Sequence, residues 1–194
     1  MSDMPVARSP ISPVEPTEIA NGWLISRRQS TGPLRLADLS PAAKILVKGQ
    51  HPPFQVSYGH STRTGKWIVA GSGPDEWTLI GPPGETFEVE TVGFATVIDI
   101  THGRALMRLT GQDGSGLLAK LCPIDLSDPM CPDGAVFRAS IASLVTDVIR
   151  ADVDGVRSYL LHCERSSGQF LFDAILEAGV EFGIEVEGFS EPQP

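Results

Sequence analysis

The stretch Lys66-Trp-Ile-Val-Ala-Gly-Ser-Gly-Pro-Asp-Glu-Trp-Thr-Leu-Ile80 decides how the chain is read. Two short apolar runs, Lys66 to Ala70 and Trp77 to Ile80, flank a Gly/Pro turn, which is the pattern of a β-hairpin. The turn carries Asp75 and Glu76. A catalytic acid/base pair needs two carboxylates in different environments converging on one cleft. Neighbours along a strand point to opposite faces, and Pro74-Asp75 is good turn chemistry. The pair therefore reads as architectural, with Asp75 fixing the corner and Trp77 packing in the core or at a subunit surface.

Similar short elements continue on both sides. Lys44-Ile-Leu-Val-Lys48 is a strand bounded by Pro41 and Gly49, and residues 50–65 are loop-rich. Gly81-Pro-Pro-Gly84 punctuates the chain. Phe94 to Ile100 and Arg104 to Leu109 read as a strand pair joined through Thr101-His-Gly103, the second with apolar and basic positions on opposite faces. Gln112 to Leu121 reads as a helix capped by Asp113 or Ser115, with Leu117, Leu118 and Leu121 on one face, and Pro123 stops it. Ala135 to Arg150 holds two strands, Asp152-Val-Asp-Gly155 is a hairpin turn, and Val156 to Leu161 is the next strand. Phe170 to Phe182 is the strongest helical pattern, its stripe formed by Phe170, Leu171, Ala174, Ile175 and Ala178. Strand pairs followed by helices, without βαβ alternation, predict an α+β domain with largely antiparallel sheets and a few packing helices. Residues 1–18, with four prolines, read as an extended arm rather than a packed element. Residues 19–188 read as a single domain and 189–194 as a flexible tail.

Composition narrows the function classes. The 194 residues are 41% hydrophobic, enough for one core. Fifteen basic against 24 acidic residues give a net charge of −9, which argues against nucleic acid or an anionic membrane as partner. The first residues lack the pattern of a signal peptide, and three cysteines, an odd number, fit free thiols in the cytoplasm.

Each candidate site has a plainer structural reading. Asp99-Ile-Thr-His102 sets an acid near an imidazole, but no serine or cysteine nucleophile motif accompanies it, so a hydrogen-bonded turn histidine is expected. Cys122, Cys131 and the neighbours His162-Cys163 lack zinc-ligand spacing and read as buried thiols and strand residues. Gly111-Gln-Asp-Gly-Ser-Gly116 matches neither dinucleotide-binding nor P-loop spacing. Trp23, Trp67 and Trp77 are too scattered for a stacking platform. The residues alone thus assign no catalytic, cofactor-binding or metal site.

Several blocks in order carry a resemblance. Gly73-Pro-Asp-Glu-Trp77, Val97-Ile-Asp-Ile-Thr-His-Gly-Arg104, Leu109-Thr-Gly111 and Leu118-Ala-Lys-Leu-Cys-Pro-Ile-Asp-Leu126 together resemble the gamma subunit of heterotetrameric sarcosine oxidase, and Leu34 to Gly49 is similar to its N-terminal segment. The resemblance spans residues 34–185. That family is similar in turn to the folate-binding aminomethyltransferases of the glycine cleavage system. In those transferases a Gly-Gly-x-x-Asp-Asp block supplies an essential acid. The matching stretch here is Ala142-Ser-Leu-Val-Thr-Asp147: both glycines are gone, Thr146 replaces the first acid, and Asp147 reads as a strand residue.

The resemblance implies a non-catalytic subunit of a flavoenzyme complex that oxidatively demethylates sarcosine to glycine, with one-carbon transfer to tetrahydrofolate. It implies that FAD, FMN, NAD and folate belong to the larger subunits, that zinc belongs to the smallest, and that the alpha subunit is the main partner in an alpha-beta-gamma-delta complex. The alternatives are a stand-alone folate-binding aminomethyltransferase-like protein and a gamma-like subunit of a related N-methyl amino-acid dehydrogenase.

Overall fold

The computed structural model describes residues 5–50, 54–89 and 93–191. In chain order the strands are β1 (Thr17–Ala20), β2 (Trp23–Ser26), β3 (Leu34–Asp38), β4 (Ala43–Gly49), β5 (Ser61–Thr64), β6 (Trp67–Gly73), β7 (Glu76–Gly81), β8 (Ala95–Asp99), β9 (Arg104–Thr110), β10 (Val136–Ile141), β11 (Leu144–Arg150), β12 (Ser158–Glu164) and β13 (Ile184–Glu187). Helix α1 (Gly114–Ala119) follows β9, and α2 (Gly168–Ala178) follows β12. They form a six-stranded sheet in the order β10-β11-β12-β9-β3-β13, a five-stranded sheet in the order β5-β6-β7-β4-β8, and a β1-β2 hairpin. All pairings between these strands are antiparallel except β13 on β3. The α+β class with largely antiparallel sheets is the one the sequence predicts.

Three apolar layers follow from the period-2 alternation of the strands. Between the sheets lie Leu106 and Leu160 from one and Ile68, Ala70 and Ile80 from the other. The outer face of the six-stranded sheet, with Met107, Leu109, Tyr159 and Leu161, is covered by Leu117, Leu118, Leu171 and Ile175 of the two helices. Trp67, Val69, Trp77 and Leu79 form the outer face of the five-stranded sheet, under Phe54, Phe87 and Val89. The opening hairpin is thus β6-β7, with each tryptophan turned outward and Ile68 and Ile80 turned toward the other sheet.

The structure corrects several expectations. Strands β8 and β9 are consecutive but not paired: β8 pairs with β4, and β9 lies between β12 and β3. Residues Ala105 to Leu109 are all buried, so β9 needs cover on both faces and crosses to the centre of the other sheet. Its basic and apolar positions are not segregated, because Arg108 shares the inner face with Leu106. The helix read over Gln112 to Leu121 is only Gly114–Ala119, and neither Asp113 nor Ser115 caps it by side chain. In α2 the inward aromatic is Phe172, whereas Phe170 is 58% exposed; a one-turn 3-10 segment, Val180–Phe182, follows the helix. The proline-rich segment is extended but packed. Ile11 is 1% exposed in the helix-side core, Ala7 bridges Trp23, and the Ser9 hydroxyl donates to Asp38. Residues 1–4 and 192–194 of the arm and tail lie outside the described residues.

Candidate functional site

Three of the chain's buried ionisable groups, Lys44, Asp147 and His162, lie on the inner faces of the two sheets. On β4, Lys44, Leu46 and Lys48 face inward, since Ile45 and Val47 belong to the outer layer. On β7 the same alternation turns Glu76 and Thr78 inward. Opposite them, β11 contributes Asp147 and β12 contributes His162, cross-strand partners in the register. Leu46, Lys48, Glu76, Thr78, Asp147 and His162, with Ile100, Arg104 and Arg138, line a cleft of about 200 Å³.

Asp147 is engaged through both carboxylate oxygens. Arg138 Nε donates to Oδ1 at 2.6 Å, and His162 Nδ1 lies 3.4 Å from Oδ2. Burial pushes the Asp147 carboxyl up, but His162 and Arg138 outweigh burial and hold it below its ordinary value. Burial likewise lowers His162, against the pull of Asp147. Its Nε2 is buried without a hydrogen-bond partner among the described residues. Glu76 completes the network, 2.7 Å from Lys48 and 3.7 Å from Arg138. Lys44, fully buried, donates from Nζ to the carbonyls of Ser40 (2.7 Å) and Ala42 (2.8 Å). Burial, partly offset by Asp38 and Asp99, brings its pKa down to about 7.

The other candidates stay apart from this cleft. Asp75 is exposed in the β6-β7 turn with φ +52°, and its carbonyl accepts from Gly49 N at 3.0 Å. It shapes the corner through its backbone, while Glu76 points into the cleft. Trp77 is 5% exposed and donates from Nε1 to the Val56 carbonyl at 2.9 Å. Asp99 accepts from Thr101 N at 2.8 Å, but His102 stacks on Trp23 with ring centroids 4.7 Å apart. The pair is therefore not a base with its orienter, and the histidine is a stacked turn residue rather than a hydrogen-bonded one. Cys122, Cys131 and Cys163 are buried and free, and no group of three metal-ligating side chains gathers among the described residues. Gly111, with φ +145°, lets β9 pass Pro33: a Cβ there would stand 2.4 Å from the Pro33 carbonyl oxygen. The loop from Gly111 to Gly116 thus serves packing. Thr146 is fully buried and donates to the Leu144 carbonyl, turned away from Asp147 by the strand alternation.

Sequence reasoning singled out Asp147 and His162 separately and missed that they meet. The signal was present: a charged residue inside the apolar run Leu144 to Ile149 and a histidine closing Tyr159 to Leu161 mark one face of neighbouring strands.

No protein-family model matches the sequence, and neither does any curated protein. Solved structures similar in fold include the following two. One is a chain of the heterotetrameric sarcosine oxidase from Corynebacterium sp. U-96 in complex with pyrrole 2-carboxylate, with 16% identity and a TM-score of 0.65, covering 80% of this chain and 89% of that one. The other is the glycine cleavage system aminomethyltransferase T from Bartonella henselae, with 15% identity and a TM-score of 0.65 over 89% of this chain and 55% of that one. The chain therefore spans about half the length of that transferase. These are the two families whose motifs the sequence resembles, and the chain has the fold common to both structures.

Proposed function

We propose that the chain is a non-catalytic, assembly-forming subunit of a heterotetrameric sarcosine oxidase, in the place of its gamma subunit. The observation that carries this reading is the engagement of Asp147. A carboxylate that is to hold or move a proton on a ligand needs a free oxygen facing a cavity. Here Arg138 and His162 occupy both oxygens. The cleft beside them, at about 200 Å³, is smaller than the roughly 300–1,000 Å³ of ordinary small-molecule sites. The residues present do not fit a folate, so no transfer step runs through this cleft.

The assembly role is supported by the edge strand β8. It borders the five-stranded sheet with one side unpaired among the described strands. It carries Val97 and Ile98 at 47% and 44% exposure, next to Phe94 at 90%. An exposed apolar edge is a feature that monomers avoid and that interfaces use. The partner in this reading is the alpha subunit, the cofactors FAD, FMN, NAD and folate are held by the larger subunits and zinc by the smallest, and the complex is cytoplasmic. No helix among the described residues is long and apolar enough to cross a membrane.

The test is co-expression of this chain with the alpha subunit of such a complex, alongside Val97→Lys and Ile98→Lys variants. The reading expects co-purification of the parent chain, its loss in the variants, and no flavin absorbance or tetrahydrofolate binding by the chain alone. Micromolar binding of tetrahydrofolate by the isolated chain would instead overturn this reading and revive the transferase alternative.

A further inference from the structure

Farther along the inner face of the six-stranded sheet the surface has a different character. A cavity of about 510 Å³ opens there, lined by Arg27, Arg28, Arg35 and Arg108 against only two carboxylates, Asp154 and Glu187. Phe189 and Val153 add apolar wall. Glu187 is engaged by Arg35 at 3.0 Å, and Arg27 pairs with Glu18. Arg28 is exposed at the cavity.

Arg108 stands out. It projects from β9 into the cavity lining, is 6% exposed, and its Nε and Nη2 atoms have no hydrogen-bond partner among the described residues. A buried guanidinium is ordinarily paired, because leaving it without an acceptor is costly. Within the strand pattern, a leucine like Leu106 would satisfy the position. In a chain of net charge −9, a concave surface richer in guanidinium than in carboxylate departs from the background field. Planar guanidinium groups around a concavity are the arrangement that recognises oxyanions.

We propose that this cavity binds a small organic anion through a phosphate or carboxylate group, with Arg108 as the buried acceptor-seeking partner and Arg28 as the exposed one. The volume lies in the range of ordinary small-ligand sites, and Phe189 offers a face for the apolar part of the ligand. The inference does not depend on the subunit reading, since it concerns a different set of residues.

The experiment is calorimetric titration of the full chain at constant ionic strength with inorganic phosphate in one arm and succinate in the other. The parent chain is compared with Arg28→Ala and Arg108→Met. Saturable binding of either probe is expected, weakened at least about tenfold by each substitution. Arg28→Ala alters an exposed side chain and keeps the test decisive if Arg108→Met fails to fold. Absence of saturable binding of both probes, or binding left unchanged by Arg28→Ala, overturns the proposal.

Discussion

Replacing Lys44 by methionine should change how stability depends on pH. Lys44 is fully buried, and its pKa falls from 10.5 to about 7. Between those values the unfolded chain holds one more proton at this site than the native chain. Stability therefore rises with pH across the window, by at most about 1.36 kcal/mol per unit. Below pH 7 both states are protonated and the native state carries the full cost of a buried ammonium. Above pH 10.5 both are neutral and the cost is gone. From pH 7 to pH 10 the parent chain should gain roughly 3 to 4 kcal/mol from this group alone.

Methionine nearly conserves the volume and cannot titrate. It leaves the carbonyls of Ser40 and Ala42 short of a donor, a cost of about 1–3 kcal/mol each, but that cost does not vary with pH. The prediction thus concerns the difference between the two chains. Cysteines and other lysines titrate in both and cancel, while His162, lowered by burial, lies below the window. Urea unfolding followed by the fluorescence of the buried Trp23, Trp67 and Trp77 measures both stabilities at several pH values. The advantage of Lys44→Met should be largest near pH 7 and shrink by roughly 3 to 4 kcal/mol by pH 10. Parallel curves for the two chains would refute the reasoning.

Four further outcomes are expected. Ile11→Ala should lose roughly 2–4 kcal/mol in urea, and removal of residues 1–18 should lower the melting temperature of the chain itself, because Ile11 completes the helix-side core. Ala142→Gly should stabilise by roughly 0.5–1 kcal/mol, since Ala142 sits at φ +48° and relief of left-handed strain exceeds the added chain entropy. Asp147→Asn should cost about 2 kcal/mol near neutral pH. Because the Asp147 pKa is depressed, its stabilisation is present above the unfolded value and lost as pH falls through the folded one, so the variant's acid unfolding curve should converge on the parent's as the carboxyl protonates.

What could be read in the sequence was local. Hairpin signals at Pro74-Asp75 and Asp154-Gly155 depend on a few adjacent residues, and both turns form, with Asp75 at φ +52° and Asp154 at +51°. Strand partners are not local. Consecutive strands usually pair, yet β8 and β9 separate because β9 is buried on both faces. Strand β13 went unread: Ile184-Glu-Val-Glu187 is short and half charged, and its parallel seat on β3 depends on residues some 150 positions away. At the cleft, each residue was visible as a lone charge in an apolar strand. The convergence of Asp147, His162, Arg138 and Glu76 required knowing that two separate sheets face one another. The backbone of the 142–147 segment shows the same boundary. Ala142 and Ser143 hold the left-handed positions, at φ +48° and +67°, where the transferase pattern has glycines. The turn thus takes two left-handed residues without a glycine at either position.

The two ends of strand β9 differ in how the charges around them are balanced. Arg104 lines the small cleft and Arg108 the large cavity, and four residues of one strand separate them by about 13 Å. At the first end every charge has an opposite neighbour: Lys48 with Glu76, Glu76 with Arg138, Arg138 with Asp147, and Arg104 with Glu164. Such a network holds its own members in place and leaves little potential for an outside ligand. At the second end guanidinium groups exceed carboxylates, and one of them is buried without an acceptor. Electrostatic recognition belongs where charge is left over. In this chain that is the Arg108 end, while the Asp147 end, despite its acid and its histidine, acts as a rivet between the sheets.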